Sequence, residues 1–424
     1  MQALTIRYLM FFLILISWSA TANIYCVSSS SALQQALNNA AINRLNDEIR
    51  IVRGIYRGNF SYTSAYGKTL QLLGGYNSNC SKQDLNPSNT IIDGKKAGRV
   101  LRFYTPVMSG SFVIKGLTIR NGETKDANPG GGLWINTGQT STGWVAIGYN
   151  RFETNYAASS SCTGTNGGGG GAYISASGDV MIAWNTFSSN KAACFAGGLD
   201  VGSSYGFVNL TNNIFKNNIS IRRGYGSRGG GAYVVVNDNT AFIANNIFAK
   251  NVSYDLGGGL FYVAAPGYAD VILVNNDFVE NSSQVGGGVF FYPTLPTSSD
   301  VIWVSMNIFW KNVATSNGSD FSIKTDGSYN ISPQIYFNNF NQTYPGGYSA
   351  GNTVEIDPLD LGSNNLYSIN PLFVNPIQLN YRLLPGSPMI DAGGDNTPAS
   401  NDLDNNPRIV GKYVDIGAYE YQAR

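Results

Sequence analysis

Short apolar runs alternate with glycine- and asparagine-rich turns along most of the chain, at intervals of about 30 residues. Each interval contains a glycine pair or triplet that leads a short apolar strand, then a second apolar strand, then the motif N-x-F-x-x-N. None of these runs has a helical period, so each interval predicts about three short strands. The copies of the motif begin at Asn150, Asn185, Asn213, Asn246, Asn276 and Asn307, and a degraded copy begins at Asn338. This repeat predicts an all-β fold, a single-stranded right-handed parallel β-helix.

The asparagines and phenylalanines of the motif are expected to have a structural role. An asparagine at the same turn of successive coils can hydrogen-bond to its copies, and it tolerates the left-handed backbone of a sharp turn. The phenylalanines are expected to stack along the interior. Asn218 and Asn251 also fit the N-glycosylation sequon. Because their spacing belongs to the repeat, a ladder is favoured over glycosylation.

Both ends of the chain depart from the repeat. Arg7, the apolar run from Leu9 to Trp18 and the stretch Ala20-Thr21-Ala22 predict a cleaved signal peptide over 1–22, with an uncleaved anchor as the alternative. No other apolar run is long enough to span a bilayer, so no transmembrane segment is expected after cleavage. A capping-box pattern at Ser31 predicts a helix over about 31–43 that covers the first coil.

The rest of the chain is predicted to have three parts: an N-terminal cap with the first strands over 23–60, β-helix coils over 61–345, and the last coils with a C-terminal cap over 346–424. From about Pro371 to Tyr421 the N-x-F-x-x-N pattern is lost, and Asp, Asn and Pro are frequent. This stretch is predicted to be the closing cap. A solenoid needs covers at its ends because the terminal strands would otherwise pair with other chains.

Four cysteines, Cys26, Cys80, Cys162 and Cys194, follow the predicted signal peptide. An even number in an exported chain indicates two disulfides, and free buried thiols are the alternative. Four cysteines allow three connectivities. The pairing of Cys26 with Cys80 and of Cys162 with Cys194 is favoured, because each pair would then join neighbouring coils.

The composition limits which ligands the chain can bind and which residues could act in catalysis. Charged residues make up 12% of the chain and the formal net charge is +1. There is therefore no basic excess for binding nucleic acid. The chain has no histidine, which removes the most common general base and metal ligand. An enzyme on this chain would have to use Asp, Glu, Lys, Arg or Tyr.

Several segments resemble those of known β-helix families. The glycine-led strands and F-x-x-N repeats resemble the repeats of chlamydial polymorphic outer-membrane proteins. Residues 31–59 and Gly74-Gly75-Tyr76-Asn77 resemble the entry of pectin-lyase-like proteins, and residues 387–393 with 415–420 resemble the closing segment of the choice-of-anchor group. The resemblance implies the fold and export, but this fold hosts lyases, hydrolases and adhesins alike. The His-containing signatures of pectate lyases and polygalacturonases are absent.

The glycine-led strands supply a candidate ligand face. Side chains alternate across a strand, and Asp200 facing inward would be an unpaired charge in a dry core. The column of residues in its register is therefore predicted to face outward: Trp134, Tyr173, Asp200, Tyr233, Phe261 and Phe290. Aromatic rings beside a carboxylate suit sugar rings, which predicts binding of an extended polysaccharide. The alternative is that loops bury the column, or that it only stabilises the stacking of coils.

Other candidates for chemistry are weaker. Arg222, Arg223 and Arg228 lie in a long loop before the strand that Gly229 leads. A β-elimination lyase needs a basic residue and carboxylates that hold Ca²⁺ against an acidic sugar, and Asp200 with Arg223, in adjoining coils, would suit this chemistry. Asp277 and Glu280 lie around one turn and are expected to be solvated rather than catalytic. The stretch 402–406 offers oxygen ligands for Ca²⁺, although an Asx-rich turn is favoured there. No metal site and no cofactor are assigned.

The sequence favours an exported, monomeric, non-catalytic protein that binds a polysaccharide or a host or cell-surface glycan, or that acts in adhesion. It would be secreted or held at the cell surface, with the periplasm also open. The alternatives are a polysaccharide lyase or glycoside hydrolase, with a lyase the more plausible enzyme, and a purely structural exported rod. The lack of histidine and of clustered carboxylates favours binding over catalysis, and the aromatic column favours binding over a plain rod.

Overall fold

The computed structural model describes residues 22–125, 129–138, 143–159, 162, 167–222, 224, 226–237, 239–264, 270–293, 301–324, 333–341, 353–354, 364–395, 397 and 399–422. The predicted signal peptide, apart from Ala22, and Arg223 lie outside the described residues. The described residues form a parallel β-solenoid of the right-handed type with about seven turns and one α-helix, which confirms the predicted fold class. No helix in this part of the chain is long and apolar enough to cross a membrane.

Successive coils add strands to four sheets, here named A to D in the order in which the chain passes through them. Sheets A and B have 11 strands each. The strands of sheet A are Asn23–Val27, Asp47–Val52, Thr69–Tyr76, Ser111–Lys115, Val145–Gly148, Val180–Ala183, Val208–Thr211, Ala241–Ala244, Val271–Val274, Ile302–Ser305 and Gln334–Tyr336. Those of sheet B are Gly54–Arg57, Thr90–Asp93, Thr118–Arg120, Arg151–Glu153, Thr186–Ser188, Ile214–Lys216, Ile247–Ala249, Asp277–Val279, Ile308–Trp310, Asn339–Phe340 and Leu366–Tyr367.

Sheet C has seven strands and sheet D has ten. The strands of sheet C are Glu123–Thr124, Tyr156–Ala157, Lys191–Ala192, Ile219–Ser220, Val252–Ser253, Ser282–Val285 and Val313–Asn317. Sheet D contains the glycine-led strands: Phe60–Thr63, Leu101–Tyr104, Leu133–Asn136, Ala172–Ala176, Leu199–Ser203, Ala232–Val236, Leu260–Ala264, Val289–Pro293 and Phe321–Lys324, and the antiparallel Thr353–Val354. A separate antiparallel pair joins Phe373–Asn375 and Asn380–Leu383.

Two asparagine ladders and one phenylalanine stack run through the interior. In the first ladder, the backbone N–H and the side-chain amide of Asn213 both donate to the Oδ1 of Asn246, at 2.9 and 3.1 Å. Asn218 and Asn251 repeat this arrangement in the second ladder, so their amides are buried and bonded, as the repeat predicts. Between the ladders, the Phe215 and Phe248 rings stack with centroids 4.7 Å apart.

One detail of the turns differs from the prediction. The left-handed residue is not the ladder asparagine but the residue before it, such as Asn212, Asn245 and Asn275, each with φ near +55°. The ladder side chain is then free to point inward and bond along the stack. At the same position two other coils carry Tyr149 and Trp184, whose rings stack.

A helix covers the first coil, as the sequence predicts, but its N-cap is Ser29 and not the predicted Ser31, which lies within the helix. Ser29 caps the helix Ser30–Ile42 by accepting a hydrogen bond from the N–H of Ala32 at 3.2 Å. Leu33 and Leu37 on one helix face are fully buried and belong to the main core. The apolar edge of the first coil is therefore protected by an amphipathic helix.

Two disulfides, Cys26–Cys80 and Cys162–Cys194, confirm the favoured connectivity. Cys162–Cys194 joins adjacent coils, as expected, with Cα atoms 5.4 Å apart. Cys26–Cys80, with Cα atoms 5.8 Å apart, instead links the strand Asn23–Val27 to the residues after Thr69–Tyr76, and the strand Asp47–Val52 lies between them. Two such bonds indicate an oxidising compartment.

The C-terminal segment, residues 371–422, lies along the side of the coils and is called the strap below. It contacts the residue with positive φ in five successive coils. The side chains of Asn212, Asn245 and Asn275 donate hydrogen bonds to strap carbonyls, and Met306 and Phe337 pack against the strap. Its apolar side chains, such as Met389 and Ile416, bury outward residues of sheet B, among them Ile247, Val279 and Ile308. The stretch expected to close the end of the solenoid therefore covers its flank in the described residues.

Candidate functional site

The predicted column of sheet D exists in the predicted register. Trp134 pairs with Tyr173, Tyr173 with Asp200, Asp200 with Tyr233, and so on to Phe261 and Phe290. The residues that flank it on each strand, such as Leu199 and Val201, belong to the main interior core. The column therefore lies on the outer face of the sheet, as strand alternation predicts. The further expectation, that Asp200 avoids burial there, is wrong, because the residue is only 5% exposed.

The column is not a continuous exposed surface. Phe261 and Phe290 are only 1% and 2% exposed, and Tyr173 and Asp200 are also buried, so the expected exposed stripe is wrong for these four residues. Phe195, Arg228, Leu256 and Val285 form a short bridged ladder that packs over this face. The reason is local, because the glycine after each of the last three has φ near +65° and turns the preceding residue back over the strand.

The column divides into three environments. Trp134 is half-buried and its ring packs against Tyr104. The guanidinium carbons of Arg99 and Arg102 lie 5.5 and 5.1 Å from the Trp134 ring centroid. Phe261 and Phe290 stack on each other beneath the covering ladder, with centroids 5.2 Å apart. Between these two regions the cover opens, and Tyr173, Asp200 and Tyr233 line a cavity of about 270 Å³.

Asp200 is the chemical centre of this cavity. Its side chain is buried, with 5% of the residue exposed, and burial raises the pKa of its carboxyl to about 8. The carboxyl is therefore largely neutral at pH 7 and can donate as well as accept a hydrogen bond. Gly168 makes room for it, because a Cβ at that residue would lie 2.2 Å from Asp200 Oδ2.

Arg228 provides a cation in the lining of the same cavity. Its guanidinium carbon lies 5.4 Å from the ring centroids of both Phe195 and Phe261, so the group is held between two aromatic faces. Its Nε is buried and has no hydrogen-bond partner among the described residues. Burial raises the pKa of Tyr233, and the charge of Asp200 raises it further, whereas Arg228 lowers it.

Small polar residues complete the cavity. Ser175, Ser203, Ser204 and Asn237 line it together with Gly202. Gly202 is on the same face of its strand as Asp200, and an added Cβ there would meet only ordinary contacts at 3.7 Å or more. The cavity thus combines two tyrosine rings, one neutral acid, one guanidinium and several hydroxyl or amide groups.

The sequence candidate Arg223 is outside the described residues, so its pairing with Asp200 stays a prediction. The neighbouring Arg222 donates to the carbonyl of Ser159 at 3.1 Å. The arginine that lines the cavity together with Asp200 is Arg228, which the sequence places in the same loop as Arg223 but does not pair with Asp200. A signal for it exists, since Arg228 directly precedes a glycine triplet, as Leu256 and Val285 do in later coils.

The other acidic residues considered from the sequence take part in contacts that stabilise the fold. Asp277 was expected to be solvated, but it is 1% exposed beneath the strap, whereas Glu280 is partly exposed and lies 3.5 Å from Lys250. Asp402 accepts hydrogen bonds from the backbone of Asp404 and Asn406, which is an Asx-type turn. Within the described residues, no group of three or more acidic or cysteine side chains could hold a metal ion.

Comparison with known protein families finds no model that matches the chain, and comparison with curated proteins finds no match either.

Proposed function

We propose that this chain is an exported β-helix protein that binds a polysaccharide, or a glycan of a host or cell surface, and holds one sugar residue in the Asp200 cavity. The observation that supports this most directly is the cavity itself, which opens in the middle of an otherwise covered aromatic column. Ligand sites combine apolar and aromatic walls with a few convergent polar groups. A volume of about 270 Å³ suits a single ring rather than a long segment.

The lining supplies both kinds of contact that a sugar requires. Tyr173 and Tyr233 offer ring surfaces for the C–H face of a sugar. The neutral carboxyl of Asp200 and the hydroxyls of Ser175 and Ser204 offer donors and acceptors for its hydroxyl groups. Export is supported by the two disulfides and by the predicted signal peptide, and the resemblance to pectin-lyase-like and choice-of-anchor proteins is consistent with it.

A second candidate function is acid catalysis by Asp200 in a polysaccharide lyase or glycoside hydrolase. It is favoured by the pKa of about 8, which keeps a transferable proton on a buried carboxyl at pH 7. Glycoside hydrolases generally need two carboxyls across the scissile bond, and Asp200 is the one carboxyl among the described residues that line the cavity. Binding is therefore the first proposal and catalysis the second.

The test uses the mature chain from Asn23 with a panel of neutral and acidic polysaccharides, followed by calorimetry and by assays for reducing and unsaturated ends. The main variant is Gly202→Leu, which fills the cavity from a position with room for a side chain. It should abolish binding while the melting temperature stays close to that of the wild type, and Gly202→Ala should weaken binding less. Binding that is unchanged in Gly202→Leu would contradict the proposal.

The same experiment separates the two candidate functions. Asp200→Asn keeps the size of the side chain and a hydrogen-bond donor but cannot transfer a proton. A binding protein should retain most of its affinity in this variant. An enzyme should bind its substrate and fail to form product, whereas the wild type forms it.

A further inference from the structure

The interface between the strap and the coils contains an excess of buried acidic groups. Asp277 of sheet B and Asp402, Asp415 and Glu420 of the strap are all at most 5% exposed, and they surround the buried guanidinium of Arg408. If every group were ionised, four negative charges would face one positive charge in a region without solvent. Such an imbalance is costly unless some carboxyls keep their protons.

Hydrogen bonds tie these carboxyls to the strap backbone. Asp277 accepts from the N–H of Ala418 at 3.1 Å, and Asp415 accepts from the N–H of Tyr421 at 2.6 Å. Arg408 donates to the carbonyl of Gly417. The second oxygen of Asp277, and the Nε and Nη1 of Arg408, have no hydrogen-bond partner among the described residues. The charge excess is therefore not neutralised by direct bonds to this one guanidinium.

The surrounding charged groups do not remove the imbalance. On the coil side, Glu280 is balanced by Lys250 at 3.5 Å. On the strap, Asp404 is balanced by Arg382, whose Nε donates to it at 2.6 Å, and Asp391 adds a further carboxyl near Asp415. Tyr381 and Tyr419 also face the group, and burial raises the pKa of both, so they stay neutral and contribute no charge.

We propose that the strap is a pH-sensitive cover, held most tightly on the flank of the coils when the acid group around Arg408 is partly protonated and loosened when that group ionises. The apolar outer residues Ile247, Val279 and Ile308, which are at most 1% exposed under the strap, would then become accessible in the open form. This inference does not depend on glycan binding, because the Asp200 cavity is on another sheet.

The direction of the pH effect follows from the proton affinities. Burial raises the pKa of Asp277 and of Glu420 to about 7 and also raises the pKa of Asp415. A group with a raised pKa stabilises the closed strap fully below its pKa in the open form, near 4. That stabilisation is lost as the pH rises through the closed-form value near 7.

The pH-dependent closure of the strap can be tested by hydrogen–deuterium exchange of the mature chain at pH 5 and pH 8, with correction for intrinsic exchange rates. Peptides that contain Ala418 and Tyr421 should lose at least about tenfold in protection at pH 8. Peptides of the interior ladder, such as those with Asn213 and Asn218, should not change. Strap protection that is equal at the two pH values would overturn the proposal.

Asp277→Asn assigns the effect to this group. Asparagine can still accept the bond from Ala418, and it cannot ionise, so the loss of strap protection between pH 5 and pH 8 should become clearly smaller. The remaining pH dependence comes from Glu420 and Asp415. Glu280→Gln, three residues away and partly exposed, is the matched control and should leave the pH dependence intact. If Asp277→Asn fails to fold, Glu420→Gln should reduce the pH dependence, and an unchanged dependence in the folded variant would equally overturn the proposal.

Discussion

Asp200 and Asp277 are both buried aspartates on the outer face of the solenoid, yet their surroundings differ. Burial raises the pKa of each, to about 8 and about 7. Asp200 borders a cavity of about 270 Å³, whereas Asp277 is covered by the strap and accepts a bond from its backbone. The comparison teaches that a raised pKa alone does not mark a site. An acid becomes a candidate for binding only where the covering layer leaves space beside it.

The largest expected loss of stability comes from the buried acid group beneath the strap, around Asp277. Arg408→Ala removes the one buried guanidinium and leaves Asp277, Asp402, Asp415 and Glu420 without a counter-charge. The free energy of unfolding should fall by about 3–5 kcal/mol, measured by urea denaturation at pH 7. Arg382→Ala, which removes an exposed partner of Asp404, is the control and should cost about 0–1 kcal/mol. Equal losses in the two variants would mean that the buried group has no special role.

The next effect distinguishes the two aspartates by pH. Asp200 stabilises the fold below about pH 4, and this contribution is lost as the pH rises to about 8. Asp200→Asn should remove a slope of at most about 1.4 kcal/mol per pH unit from the free energy of unfolding across that range. Asp277→Asn should likewise remove a pH-dependent slope from the free energy of unfolding, but that slope should end near pH 7. The measurement is urea denaturation at half-unit pH steps, and identical pH profiles for wild type and Asp200→Asn would contradict the burial of an ionisable Asp200.

The smallest effect on stability is expected at the Asp200 cavity. In Gly168→Ala the new Cβ would lie 2.2 Å from Asp200 Oδ2, so the carboxyl must rotate within the cavity. The free energy of unfolding should change by less than about 1 kcal/mol, while affinity for a bound glycan should fall by about tenfold. Gly148→Ala in sheet A, whose Cβ would lie 3.3 Å from the Ala183 carbonyl, is the control and should bind normally. Normal binding by Gly168→Ala would show that the Asp200 carboxyl does not contact the ligand.

Much of the fold could be predicted because each coil repeats the same local instructions. Asn218 and Asn251 are spaced by one coil, so the same hydrogen bond recurs at each step. The register that places Asp200 on the outer face of its strand follows from strand alternation. The pairing of Cys162 with Cys194 follows from the adjacency of their coils. The site was only half predictable, because Asp200 and its tyrosine neighbours share one register, while Arg228 reaches them from the turn before the next strand.

The sequence by itself determined what is set by periodicity: the parallel coils, the asparagine ladders, the phenylalanine stack, the N-terminal helix and the alignment of Trp134 to Phe290 in one column. Only the tertiary structure decided which parts of that column are covered and where Arg228 lies. It also decided that the strap runs along the flank, where Ala418 meets Asp277 across 141 residues of chain. The physical reason is that neighbouring coils are related by a repeat that can be read locally, whereas a covering layer depends on which distant surfaces fit each other in shape and charge.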